Sequence, residues 1–146
     1  MTVELSPARD REIFVDNLQA AFRRDDGSEK FHRGELLKFF DKAGAILLNL
    51  VVKKKIVGGA VLIINPETRH NRLSLFFVDA AYRNLGVGAA AWLAIEKFFP
   101  DTKVWYASTP WLDKRNLHFY MNKCGFVAFS IYGDADVYLA LEKVMT

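Results

Sequence analysis

The stretch of this sequence best suited to chemistry is Val78-Asp79-Ala80-Ala81-Tyr82-Arg83-Asn84-Leu85-Gly86-Val87-Gly88, which lies between a β-type run and an alanine-rich helical one. Glycine removes a side chain and lets a ligand approach the main chain. The first N–H groups of a helix lack internal partners and sit at the positive end of its dipole, so a helix opening near Gly86 offers donors to phosphate oxygens. Arg83 adds a fixed positive charge. The chemistry implied is anion binding, with a pyrophosphate the best-suited group. The bland alternative is that Gly86 and Gly88 only permit close packing of a helix on a strand.

Gly86-Val87-Gly88-Ala89-Ala90-Ala91 also matches the G-x-G-x-x-A dinucleotide pattern, but Asp79 to Leu85 separate those glycines from the preceding strand. No acidic residue stands at the end of the next strand, and no Gly-Lys-Ser/Thr follows the glycines. A second segment, Asn116-Leu117-His118-Phe119-Tyr120-Met121-Asn122-Lys123-Cys124-Gly125-Phe126, spaces Asn116, Tyr120 and Cys124 by four and so places them on one helix face. By periodicity alone Tyr120 lines a core and Asn116 bonds locally near a helix start. Cys124 reads as a small buried hydrophobe without a partnering histidine, which argues against a nucleophile. His32, His70 and His118 lie too far apart for a local zinc site, so no metal is expected.

The elements that position these residues follow from pattern. Ser6-Pro7 predicts a helix start, and Phe14, Leu18 and Phe22 recur every four residues up to Gly27. A second short helix fits residues 34–43, with Gly44 as its C′ residue. Residues 45–65 predict two antiparallel strands around Lys53, Lys54 and Lys55, and residues 72–78 predict another strand. Residues 86–99 predict a helix that is apolar nearly all round and therefore buried, stopped by Pro100. With a strand at 102–107 it completes a parallel βαβ unit. Asp113 caps a further helix to Cys124, Gly125 ends it, and strands at 126–132 and 136–144 close the chain around Gly133-Asp134.

In this element order, Arg83-x-x-Gly86-x-Gly88 after Val78-Asp79-x-x-Tyr82 resembles the acetyl-coenzyme A signature Q/R-x-x-G-x-G/A of the GNAT superfamily of N-acetyltransferases. The Asn116 to Phe126 segment resembles that family's N-x-x-F-Y-x-x-x-G-F element. The resemblance covers essentially the whole chain. It implies one α/β (α+β) domain over residues 1–146: a mixed, mostly antiparallel twisted sheet with a central parallel βαβ unit and about four helices. It further implies that coenzyme A phosphates lie on the N–H groups of Arg83, Asn84, Leu85, Gly86, Val87, Gly88 and Ala89. Its pantetheine arm would pair with Phe76, Phe77 and Val78, beside Asn116 and Phe119, in a slot where two strands splay. Tyr120 would protonate the departing thiolate, and an N–H of Phe77 or Val78 would meet the developing oxyanion. This sequence has Asp113, not asparagine, seven residues before the tyrosine, and no glutamate in 72–78. The base is therefore open, with Ser74 and Asp79 as candidates to hold a water.

The implied function is transfer of an acetyl group from acetyl-CoA to a primary amine of a small molecule or peptide. Direct attack follows from the absence of an activated nucleophile. The alternative is a non-catalytic coenzyme A-binding or regulatory module on the same fold. Composition bounds both readings. The chain has 146 residues, 51% of them hydrophobic, and 20 Lys and Arg against 17 Asp and Glu, a net +3. That is one domain with a sizeable core, and too mild a basic excess for nucleic acid. Its longest apolar stretch, broken by two glycines, is too short for a membrane helix, and no secretion signal opens the sequence. The expected partner is an amine acceptor in the cytoplasm, with neither nucleic acid nor membrane. A homodimer is left open.

Overall fold

The computed structural model describes residues 1–146. It opens with a strand, β1 (Glu4–Pro7), where Ser6-Pro7 had predicted a helix start. Pro7 ends an edge strand, where a missing N–H costs no ladder bond. Asp10 does the capping instead: its side chain accepts from the Ile13 N–H at 3.1 Å and starts α1 (Arg11–Phe22), whose Phe14, Val15 and Leu18 are buried. Helix α2 (Arg33–Phe40) stops short of residue 43. Gly44 is thus no C′ residue. It makes the turn into the next strand at φ +82°, where a Cβ would lie 2.4 Å from the Ile64 carbonyl oxygen.

Strands β2 (Ala45–Val52) and β3 (Lys55–Ile63) form the expected hairpin. Lys53 and Lys54 both take positive φ, the backbone a two-residue hairpin turn demands. Strand β4 (His70–Val78) pairs antiparallel with β3 and starts two residues before the predicted strand. A bulge at Ser74 separates Leu73, opposite Leu62, from Leu75, opposite Val61. The extra residue shifts the side-chain alternation. Leu73 and Phe76 therefore share one core cluster, while Phe77 joins the cluster around α1 and α2, with Leu75 packed against it.

A 3₁₀ turn (Ala80–Tyr82) leads to α3 (Val87–Phe98), then β5 (Val104–Pro110), parallel to β4 as predicted. Helix α3 buries only Val87, Ala91, Trp92 and Ile95; Leu93 and Phe98 are more than half exposed, contrary to the expectation of full burial. It lies on one face of the sheet, so one side of it meets solvent. The predicted helix from Asp113 to Cys124 is α4 (Lys114–His118) running into a π-helical turn (Phe119–Lys123). The Cys124 N–H there reaches back five residues, to the Phe119 carbonyl, at 3.0 Å. Strands β6 (Val127–Tyr132) and β7 (Tyr138–Val144) end the chain. The sheet order is β1-β2-β3-β4-β5-β7-β6, all antiparallel except β4 with β5. No helix is long and apolar enough to cross a membrane.

Candidate active site

Strands β4 and β5 pair only at His70 with Val104, Asn71 with Trp105, and Arg72 with Tyr106. The start of this seam is locked: the buried Asn71 amide donates to Thr102 Oγ1 at 2.7 Å, and that hydroxyl donates to the Phe99 carbonyl. Beyond Arg72 the two strands diverge. β5 continues in pairs with β7, and β4 keeps β3 on one side and an open edge on the other. The Asp79 N–H donates across to the Val57 carbonyl at 2.8 Å. Alternation along a strand then turns the Val78 N–H toward the open edge and the Phe77 N–H toward β3. Of the two oxyanion donors expected from sequence, only Val78 faces the gap.

Beside this edge lies a cavity of about 900 Å³. Phe76, Phe77, Val78, Arg83, Asn84, Gly86, Val87, Gly88, Ala89, Asn116 and Phe119 all line it. Leu85 does not; its side chain is 56% exposed and only its main chain belongs to the turn. Tyr120 is also outside the lining, buried against Phe119 and Phe126. A shallower depression of about 520 Å³ by Arg11, His32 and Asp41 has a single apolar wall residue, Leu37, and no comparable array of donors.

The turn between β4 and α3 is rich in free donors. Arg83 closes its own N–H onto the Ala80 carbonyl at 3.4 Å and so leaves the expected set, and the first helical bond runs from Ala90 to Gly86 at 3.1 Å. The N–H groups of Asn84 to Ala89 lie between these and have no main-chain partner. Asn84 (φ 63°) and Gly86 (φ 82°) both take left-handed backbone, which curls these donors into a concave array. The two glycines do different work. A Cβ at Gly86 would meet nothing within 4 Å, whereas one at Gly88 would lie 2.9 Å from the Phe119 ring, which stacks on Phe76 at 5.5 Å. Close packing, the bland reading, thus accounts for Gly88 but not for Gly86.

Arg83 also departs from expectation. Its Nε donates to the Val78 carbonyl at 3.1 Å and its Nη2 to the Ala21 carbonyl at 2.7 Å, so the guanidinium ties the end of α1 to the end of β4. Its charge remains on the cavity wall, but its donors are largely engaged. That tie brings in a wall that sequence reasoning missed: Phe22, Arg23, Arg24, Asp25 and Lys30. The opposite wall adds Asp113, Arg115, His118 and Lys123. Asp113 caps α4 by accepting from the Asn116 N–H at 3.1 Å. Six Lys and Arg against two Asp make the cavity strongly cationic.

Burial pushes the Tyr120 phenol well above its ordinary value; Cys124 and Asp113 push it the same way and Arg72 opposes them. Burial likewise raises the Cys124 thiol to about 12, with Lys143 opposing, which leaves it a protonated thiol at neutral pH. Asp79 is raised by burial against the pull of Arg83, and it does not line the cavity. Ser74 Oγ and Thr109 Oγ1, near where β4 and β5 part, are buried without hydrogen-bond partners.

A parallel pair that opens after three residues, next to a turn of free N–H groups under a cationic cavity, defines a mixed α/β domain with a donor array chemically suited to an anion. Residues 11–126 match the family model described as Acetyltransferase (GNAT) family, and the chain belongs to that family. Among solved structures it is similar to the IAA acetyltransferase from Bacillus cereus ATCC 14579, at 14% identity, covering 99% of this chain and 100% of that one, TM-score 0.77. It is also similar to a Bacillus subtilis acetyltransferase in complex with CoA, at 17% identity over 99% of each chain, TM-score 0.73. At such identities the likeness concerns the fold. Among curated proteins, YrkN of Bacillus subtilis (strain 168), described as uncharacterized, is 45% identical over 95 residues. The match covers 65% of this chain and 51% of YrkN, so the chain spans about half the length of that relative.

Proposed function

We propose that the protein transfers an acetyl group from acetyl-CoA to a primary amine by direct attack, without an acyl-enzyme. The observation that carries this reading is the continuity of one cavity from the open edge of β4 to the free donors of Asn84 to Ala89. The residues fit the cosubstrate: unpartnered N–H groups and a cationic wall suit its phosphates, the space at Gly86 is open, and Phe76 and Phe119 suit a thin apolar arm. In this reading Asn84, Leu85, Gly86, Val87, Gly88 and Ala89 hold the pyrophosphate by main chain. Phe76 to Val78 hold the arm at the strand edge, Asn116 lines the cleft, and the Val78 N–H meets the developing oxyanion.

Acetyl-CoA supplies the acyl group already activated as a thioester. The chain must supply a proton to the departing sulfur and remove one from the amine. Tyr120 is the donor we assign, since burial keeps its phenol protonated through neutral pH. An alkyl amine with pKa near 10.4 costs about 4.6 kcal/mol to deprotonate at pH 7. No carboxylate lies on β4 to take that proton, so we assign it to water held by the unpartnered hydroxyls of Ser74 and Thr109. Turnover should then rise with pH toward the pKa of the amine.

Calorimetry with acetyl-CoA, and thiol release across a panel of amines, test the proposal. Gly88→Glu, which places bulk and negative charge beside Phe119, should abolish binding; unchanged affinity removes the pyrophosphate assignment. A second reading, a non-catalytic coenzyme A-binding module, draws on the missing β4 carboxylate. Tight binding with no thiol release for any amine would favour it.

A further inference from the structure

We propose that the acceptor carries a carboxylate close to its amine and an aromatic or branched apolar group, and that Arg72 binds that carboxylate on the sheet face opposite the cofactor cavity. The inference rests on the acetyl-transfer reading and names its substrate class, a free amino acid.

The gap between β4 and β5 opens to both faces of the sheet. Trp105 and Ala107 of β5 belong to the core under α3, so Tyr106 and Ser108, which alternate with them, project from the other face. Leu73 belongs to the same core, and Arg72 therefore projects with Tyr106. On that second face α1 and α2 pack on β2, β3 and β4, and their core cluster takes in no residue of β5, β6 or β7. The surface of β5, β7 and β6 is left bare beside the gap.

Arg72 stands at the last paired position before the strands part. Its Nη2 donates at 2.7 Å to Ser108 Oγ, a neutral hydroxyl, and no carboxylate lies within ion-pair distance of it. Glu142, the nearest acid by register, sits opposite Tyr106 and does not reach it. Arg11, Arg23 and Arg33, by contrast, each hold a carboxylate. An exposed guanidinium with free donors suits bidentate capture of a carboxylate and repels a second ammonium, which disfavours diamines. Beyond it, Phe129 stands edge-on to Tyr106 at 6.1 Å and is 53% exposed, an apolar rest for a side chain. Tyr120 belongs to the core under α3 with Leu73 and Trp105, so it and Arg72 lie on opposite faces of the sheet. An amine entering from this face meets the thioester while its carboxylate stays on Arg72.

The test compares L-phenylalanine, L-phenylalaninamide and phenethylamine in thiol release from acetyl-CoA, per unit of free base. We expect phenylalanine to exceed the other two at least about tenfold in kcat/KM. Arg72→Gln should bring the ratio near one, and Arg72→Lys should recover part of it. In parallel, calorimetry should show N-acetyl-L-phenylalanine binding the CoA-loaded protein more tightly than N-acetylphenethylamine, with the difference lost in Arg72→Gln. Equal rates or equal product binding overturn the carboxylate site and leave acetyl transfer standing. If no amine is acetylated while N-acetyl-L-phenylalanine binds through Arg72, acetyl transfer fails and the carboxylate site stands. Inactivity together with no product binding overturns both.

Discussion

In the half of the sheet formed by β1 to β4, both faces are covered. Six consecutive residues of β3, Val57 to Leu62, are buried, because α1 and α2 pack on one side and α3 on the other. In the half formed by β5, β7 and β6, one face lies over the α3 core and the other is open; β6 has no fully buried residue. The halves meet at three paired residues. A doubly covered half holds its open edge rigidly, so the donors of β4 and of the following turn need no ligand to set them. The singly covered half leaves a face free beside the same edge. The contrast leaves one split in the sheet open to both faces, and the proposed cosubstrate and acceptor sites each draw on one of them.

The largest effect should come from breaking the covered half. Phe14 is 1% exposed and stands edge-on to Phe40 and Phe77 at 5.7 and 5.6 Å. Phe14→Ala should cost about 3–5 kcal/mol in denaturant unfolding; a loss below about 1 kcal/mol would mean that α1 is not part of the cooperative unit. Next comes the seam itself. Tyr120→Phe keeps the ring among Phe119 and Phe126 and removes only the hydroxyl, so kcat should fall roughly 10- to 1000-fold while acetyl-CoA affinity holds. Wild-type kcat, with chemistry limiting, would assign the proton to water.

The same contrast explains what the sequence disclosed. The turn of Asn84 to Ala89 was legible because its parts are local: glycines, a helix start and a strand end within a dozen residues. Eleven of the twelve residues expected to hold the cofactor line the cavity, all but Leu85, although the Arg83 donors are engaged by the Val78 and Ala21 carbonyls. The wall from Phe22 to Lys30 was illegible, since it is brought in by a bond between Arg83 and a main-chain carbonyl 62 residues earlier. Strand β1 was misread because Ser6-Pro7 carries a helix-start pattern, and only pairing with β2 overrides it. The bulge at Ser74 has no side-chain signature in an apolar strand, yet it decides which residues face the cavity.

Smaller effects sharpen the picture of the turn. Gly86→Ala meets no neighbour, so its cost should be left-handed strain alone, about 1–2 kcal/mol, and Gly86→Asn should cost less. Equal losses would point to a steric contact instead. Asp79, at the end of the covered half, is raised above its ordinary value by burial. Its contribution to stability is complete below its unfolded pKa and is lost as pH rises through the folded one. Asp79→Asn should therefore match the wild type near pH 3 and gain on it toward neutrality, read as a widening Tm difference. A difference that narrows with pH would reverse the assignment.

The smallest effect belongs to the bare face. Phe129 occupies the bulge of an edge strand, between Ala128, opposite Leu141, and Ser130, opposite Ala140. It is 53% exposed, so much of its transfer free energy was never gained on folding, and its edge contact with Tyr106 is open to water. Phe129→Ser should change unfolding free energy by no more than about 0.5 kcal/mol. The Phe14 substitution removes the same ring from the other half, so the ratio of the two losses measures the asymmetry directly. The comparison breaks if Phe129→Ser costs more than about 2 kcal/mol. That result, together with a Tm that rises with protein concentration in the wild type and not in the variant, would mean that a second copy covers this face in solution. With the loss small and Tm independent of concentration, the face is free, and a change in phenylalanine KM without a change in acetyl-CoA affinity then ties Phe129 to the acceptor side of the gap.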